Sequence, residues 1–242
     1  MRRSGHYFIE FLSKLAYLLA RNLLAKSPEF VFSLKSTLDS YAHLRDRMTH
    51  RTSVFRSREN LHEWVAVMSS NQVVERLSSS FHFLEFGVHD GTSLNRFCKI
   101  LDEDIRIAGF DSFRGLRNAW SKPDKSIGSM SLEGIPPKEI SDRAEIVIGW
   151  VEETLPVFLK NNSDLEALVV HLDLDVFEPT AFVLKNLTPH IGANTLIVFD
   201  DYFGFLGWEN HSSKAKEQAG LSLELVAFSL DGAAVFQKSK EV

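Results

Sequence analysis

The sequence predicts an α/β fold: a seven-stranded, mostly parallel sheet covered by helices on both faces, with an antiparallel C-terminal hairpin and a helical N-terminal extension. Three observations carry this expectation. From Phe81 onward, short apolar runs alternate with stretches of helical periodicity, the pattern of parallel strands joined by crossover helices. Each of the first five runs ends in a polar or small residue, where such sheets open a ligand crevice. The last two runs are joined by Asp231-Gly232, a tight-turn dipeptide.

Residues 1–80 read as helical, an extension that serves as a lid or dimerisation arm, ahead of a sheet domain at 81–242. Tyr7 to Ala25 is apolar-rich, but Glu10, Lys14 and Arg21 interrupt it, so no charge-free run is long enough to span a bilayer. Nor does a clean cleavage site follow. It reads as an amphipathic helix packed on the body, a partner subunit or a membrane face. A fresh helix starts at Ser27 to Phe30, with Pro28 in its first turn. Ser57 to Ser80 gives one or two helices, broken near Ser69 to Asn71, and no strand is expected there.

The strands expected after residue 80 are 81–86, 105–110, 145–149, 165–173, 194–200, 221–230 and 233–239. The helices between them are 92–101, 151–161 and 180–191. Residues 114–140, rich in Gly, Pro and Ser, are too long for a simple connection and suggest a lid.

Charge is unevenly spread. Residues 1–60 carry 11 Lys/Arg against 5 Asp/Glu, so a basic front stands on an acidic body. Such a front suits an anionic ligand, a membrane surface or a solvated helical arm. The overall charge of -5 gives no reason to expect nucleic acid. Cys98 is alone, so no intrachain disulfide forms; together with the absence of a signal this leads to a cytoplasmic expectation. No stable membrane association is expected, and a homo-oligomer, a dimer through the N-terminal helices, is.

Two motifs carry chemistry. Leu84 to Ser93, LEFGVHDGTS, places Glu85, Gly87 and Gly91 between a strand and a helix. Gly87 allows a sharp turn, Gly91 a close ligand approach, and Thr92 and Ser93 offer helix caps. The pattern is neither the G-x-G-x-x-G dinucleotide fingerprint nor a P-loop. Asp111, at the next strand end, can accept from ribose hydroxyls or cap its own turn. Glu85 with Asp111 suits a ligand bearing an amine and a ribose, which favours S-adenosylmethionine over NAD.

The second motif is HLDLDVFEP followed by IVFDDYFG. Asp173 and Asp175 share a face if the strand stays extended, and Asp200 and Asp201 end the next strand. Converging carboxylates repel unless a hard cation such as Mg²⁺ joins them. The alternative is a set of loop acids capping the following helices. His171, on the same face but deeper, reads as a packed histidine.

These segments, with GFDSFRGL, Trp120, GWVEETLP and IVFDDYFGFLGWENHSSKA, resemble the macrocin O-methyltransferase family over roughly residues 80 to 220. That family comprises Mg²⁺-dependent class I methyltransferases of sugar hydroxyls. The resemblance implies a Rossmann-like class I methyltransferase fold. It also implies that S-adenosylmethionine contacts Glu85, Gly87, Val88, His89, Gly91, Thr92, Ser93, Asp111, Ser112, Gly149, Trp150 and Asp173. It further implies Mg²⁺ on Asp173, Asp200 and Asp201, and Asp175 as general base, with His171 or His211 as substitutes. Trp120, Tyr202, Trp208 and His211 are expected around a sugar, glycoside or nucleotide-sugar acceptor. Phe177 and Pro179 depart from the family, which usually has Tyr and often Ser there. Three readings compete: an NAD-dependent oxidoreductase, which lacks its glycine triplet here; a catechol-type methyltransferase, whose base is typically lysine; and a non-catalytic binding module.

Overall fold

The computed structural model describes residues 28–74, 81–117, 126–204 and 212–239. Helix α1 spans Pro28–Arg47, strand β1 Ser53–Phe55 and helix α2 Arg58–Val74. Then follow β2 (Phe81–Phe86), α3 (Thr92–Ile100), β3 (Arg106–Asp111), β4 (Ala144–Ile148) and α4 (Val151–Asn161). Next are β5 (Glu166–Leu172), α5 (Phe177–Leu187) with a 3₁₀ turn at Thr188–His190, and β6 (Ile191–Phe199). Helix α6 (Ser212–Gln218), β7 (Leu223–Ser229) and β8 (Ala234–Lys238) end the order.

The strands form one sheet in the order β1-β7-β8-β6-β5-β2-β3-β4, parallel except where β8 runs against β6 and β7. This is the expected Rossmann-like arrangement with eight strands instead of seven. The additional strand is β1, which pairs in parallel with β7 through Ser53↔Ala227 to Phe55↔Ser229. Three residues at a sheet edge leave no alternation to detect in the sequence. The sheet therefore begins inside the segment that reads as a purely helical extension. Helix α2 runs unbroken through Ser69 to Asn71, contrary to the expected interruption. Ser69 Oγ donates to Val65 O at 2.7 Å, so the hydroxyl is satisfied inside the helix.

Neighbouring strand residues face opposite layers. Phe83, Val169, Val198 and Val235 pack with Leu61 and Val65 of α2 and Leu94 and Phe97 of α3. Leu84, Val170, Ile197 and Phe236 pack on the other side with Leu44 of α1, Leu155 and Phe158 of α4, and Leu184 of α5. Burial on both faces explains why β2, β5 and β6 read as continuous apolar runs. Leu184→Ala opens a cavity in the second layer and costs about 2–5 kcal/mol. A lower urea midpoint at unchanged m-value checks this.

Helix α5 begins at Phe177, three residues before its expected start, which brings Pro179 into the first turn, where its missing N–H costs nothing. Strands β2, β3, β5 and β6 thus present their carboxyl ends side by side.

Candidate functional site

At those carboxyl ends lies a cleft whose lining includes Gly87, His89, Phe110, Asp111, Ser112, Gly149, Trp150, Asp173 and Asp175, together with Arg117, Met130 and Pro179. The turn after β2 shapes its floor. Gly87 has φ +94°, and a Cβ there would lie 2.0 Å from the carbonyl oxygen of Asp173. The backbone of β5's end therefore passes where any side chain would stand. Asp111 clamps the same turn. Its Oδ2 accepts from the amides of Val88 (2.9 Å) and His89 (2.8 Å), and its Oδ1 from Phe113 N (2.7 Å). The carboxylate lines the cleft and also organises the loop, so the turn-capping reading of Asp111 describes what its oxygens do here.

Opposite, Trp150 begins the approach to α4. The Arg117 guanidinium carbon sits 3.9 Å from the centre of its ring, a cation–π contact. Glu152 and Glu153 hold Arg117 at 3.6 and 3.5 Å. Arg117 was not legible as a site residue, since nothing local links it to a tryptophan more than thirty positions on.

Beneath the cleft runs a buried polar network. Glu85 is fully buried: its Oε1 accepts from Ser93 Oγ at 2.7 Å, and its Oε2 lies 3.2 Å from His171 Nδ1. His171 Nε2 lies 3.4 Å from Asp200 Oδ1, and His62 Nε2 approaches the same oxygen at 3.6 Å. The Arg58 guanidinium contacts Asp200 Oδ2 directly. Burial disfavours the His171 charge, but hydrogen bonds and charge from Asp200 and Glu85 outweigh it and raise the pKa to about 10. Burial also opposes ionisation of Asp200, yet His171, His62 and Arg58 hold its carboxyl well below the usual range.

A pH dependence follows. Folding raises the His171 pKa, so its stabilising contribution is full below the unfolded value of about 6.5. It declines above that and is lost as pH rises through about 10. Melting temperature should fall over this alkaline window in the wild type and fall less in His171→Gln.

The carboxylates form a second cluster. One oxygen each of Asp173, Asp175 and Asp201 lies within 4.8 Å of the others. Burial, then the charges of Asp200 and Asp175, push the Asp173 carboxyl well above its ordinary pKa. Asp175 is 6% exposed and adopts φ 62°, the left-handed region. Strain of that kind in a non-glycine residue collects at functional sites. The extended Asp-x-Asp geometry therefore does not hold: β5 ends at Leu172 and the chain turns at Asp175.

The structure sorts the expected residues. Gly87, His89, Asp111, Ser112, Gly149, Trp150 and Asp173 meet at the cleft; Glu85, Val88, Gly91, Thr92 and Ser93 do not line it. Val88 is buried, and Gly91 packs on Ile140, whose Cγ1 would lie 2.9 Å from an added Cβ. No side chain caps α3 at Gly91; Ser93 turns to Glu85, and Asp90 Oδ1 accepts from Thr92 N at 2.9 Å. Asp200 stands outside the carboxylate triad, drawn into the histidine network, and Asp175 takes the third position expected of it. His171 is enclosed between Glu85 and Asp200, with no exposure to the cleft, so it is not placed to act as a base. Tyr202 is fully buried against Phe199 and Phe236, and its hydroxyl accepts from Lys216 Nζ at 2.8 Å, so it packs the core instead of meeting a substrate. Trp120, Trp208 and His211 lie outside the described residues. In the basic N-terminal part, Tyr41 donates to Leu230 O, Arg45 pairs with Asp46 and Arg47 meets His43. Besides Arg117, Arg58 enters the site, followed one turn later by His62; an Arg and a His four apart on one helix were the available signal.

Comparison with known proteins agrees with this architecture. Residues 84–202 match a family described as a methyltransferase domain. No curated protein matches the sequence. The crystal structure of CalS11, a calicheamicin methyltransferase, is 20% identical, with 94% of this chain and 93% of that chain covered and a TM-score of 0.57. The O-methyltransferase NovP is 18% identical over 74% of this chain and 79% of its own, with a TM-score of 0.54. An apo structure of CalS11, described as a TDP-rhamnose 3'-O-methyltransferase, is 22% identical over 77% and 82%, with a TM-score of 0.51. At these identities the likeness is one of fold.

Proposed function

We propose that this chain is an S-adenosylmethionine-dependent methyltransferase, supported by its match to a methyltransferase domain and its Rossmann-like fold, and that it methylates a hydroxyl of a sugar or glycoside with the help of a divalent cation, Mg²⁺. The observation that carries the proposal is the convergence of Asp173, Asp175 and Asp201 beside the cleft. An all-oxygen donor set of that charge suits a hard cation and not a thiolate-seeking or imidazole-seeking metal. The likeness to enzymes described as acting on TDP-rhamnose and as O-methyltransferases supports the choice of acceptor.

The cleft divides between donor and acceptor. Gly87, His89, Asp111 and Ser112 would hold the amino-acid and ribose parts of S-adenosylmethionine, and Gly149 and Trp150 its adenine. The bound cation would lower the cost of developing negative charge on the acceptor oxygen. Asp175, turned into the cleft by its left-handed backbone, takes the hydroxyl proton as that oxygen forms its bond to the methyl carbon. Bound S-adenosylmethionine would supply the methyl group, its sulfur keeping the electron pair of the carbon–sulfur bond that is given up. The buried Glu85–His171–Asp200 network supports this floor from below.

Incubating the protein with S-adenosylmethionine, Mg²⁺ and a panel of free sugars, glycosides and nucleotide sugars tests the reading. Methyl transfer to at least one sugar hydroxyl, abolished by a chelator and restored by Mg²⁺, is expected. Transfer to catechols alone, or transfer indifferent to chelation, would overturn it. The residue expectation is separate: Trp150→Ala should weaken S-adenosylmethionine binding by about tenfold, a loss consistent with one stacking contact, as measured by calorimetry.

A further inference from the structure

Asp200 and Asp201 both follow β6, yet Asp201 joins the cluster with Asp173 and Asp175 while Asp200 sits with His62 and His171. The difference originates in α2, which lies in a different part of the chain. Its first residue, Arg58, contacts Asp200 Oδ2 directly and lies 3.7 Å from Asp201 Oδ1. Arg58 also reaches Asp231, with Nε 3.9 Å from Oδ2 and Nη2 3.4 Å from the carbonyl oxygen.

The position of Arg58 does not depend on its guanidinium. Its backbone N donates to Asp231 Oδ2 at 3.0 Å. Just before it, β1 pairs with β7, and Leu230 N donates to Phe55 O at 3.0 Å. Just after it, Leu61 and Val65 are fully buried. His62, one turn along the same face, is 1% exposed and meets the other oxygen of Asp200. Arg96 Nη1 lies 3.5 Å from His62 Nδ1, and an arginine can only donate, so Nδ1 accepts and the proton sits on Nε2, facing Asp200. Helix α2 is thus built to hold one carboxylate with two groups.

We infer that Arg58 is the resident counter-cation of Asp200, a positioning residue that keeps this carboxylate in the buried network and leaves the divalent cation to Asp173, Asp175 and Asp201. The second half rests on the cation reading proposed above. The physical basis is competition. A fixed positive charge beside Asp200 and Asp201 opposes a second cation and occupies the oxygen of Asp200 that would otherwise coordinate it. Its removal leaves the cluster one charge more negative and Asp200 free to turn.

Manganese is the probe, because the aqueous ion's electron paramagnetic resonance signal disappears on binding and reports occupancy without any turnover. The Arg58→Met variant should bind Mn²⁺ at least tenfold more tightly than the wild type, and Arg58→Lys should stay near the wild type. Equal or weaker Mn²⁺ binding by Arg58→Met overturns the reserved role of Asp200. Thermal melts of Arg58→Met, Asp200→Asn and the double variant test the ion pair independently. The first change should destabilise the wild type strongly and the Asp200→Asn protein little. Additive losses overturn the counter-cation assignment. If neither the wild type nor Arg58→Met binds Mn²⁺, the cation reading of the cluster falls along with the reservation, and the melts alone decide whether Arg58 neutralises Asp200.

Discussion

Replacing Asp175 with asparagine lowers turnover by about 10²–10⁴-fold, the usual contribution of a positioned general base. Asparagine has nearly the same shape and is among the residues that tolerate the left-handed backbone found at this position, φ 62°. The fold and the cleft should therefore survive, and S-adenosylmethionine affinity should remain close to wild type. What disappears is the capacity to accept a proton. Because that interaction is made only as the acceptor oxygen reacts, kcat and kcat/KM should fall together. Steady-state methyl transfer beside calorimetric cofactor binding separates the two effects. Turnover within threefold of wild type would remove Asp175 from the mechanism. Asp175 also shares the carboxylate cluster, so the Mn²⁺ affinity of the variant should be measured in parallel. A lost cation with a lost base gives a deeper fall, partly recovered at high Mg²⁺.

Gly87→Ala strikes the scaffold. The added Cβ would stand 2.0 Å from the carbonyl oxygen of Asp173 and 2.7 Å from its carbon, at φ +94°. Neither neighbour is a flexible side-chain tip. The backbone at Asp173 is held by its amide, which donates to Phe86 O at 2.8 Å. Overpacking of about 1–3 kcal/mol adds to roughly 1–2 kcal/mol for a left-handed L-residue, so about 2–5 kcal/mol of stability is lost. If β2 and β5 yield instead of unfolding, Asp173 is displaced from the cleft and cofactor and cation binding both weaken. Urea unfolding with parallel binding measurements checks this; wild-type stability together with wild-type binding would contradict the close approach of the two strand ends.

Much of the sheet was legible because β2, β5 and β6 are buried on both faces and announce themselves as apolar runs. The hairpin was legible from Asp231-Gly232. Strand β1 was not, since three residues held only by pairing to β7 carry no period of their own. The unbroken α2 was obscured by Ser69, whose hydroxyl bonds back within the helix instead of ending it. At the site, the residues of the glycine turn and the acids at the strand ends were legible as a group, but their division of labour was not. Gly91 resembles a ligand contact in sequence and is a packing contact with Ile140 in space. Tyr202 adjoins Asp201 in sequence, yet its ring turns into the core.

The sequence by itself determined the alternation of strands and helices and the placement of carboxylates at the carboxyl ends of β5 and β6. Both are local properties, written in periodicity and in residue type at strand termini. Only the tertiary structure decided which carboxylate faces which partner. Arg58 lies 142 positions from Asp200, and the contact exists because β1 docks on β7 and delivers α2 to the end of β6. The turn at Asp175 decided the rest, because the Asp-x-Asp pair leaves the extended geometry there and both acids still meet Asp201 in one cluster. A side chain's direction depends on backbone angles and on neighbours brought from far along the chain, and neither is encoded in the spacing of the residues that carry the charge.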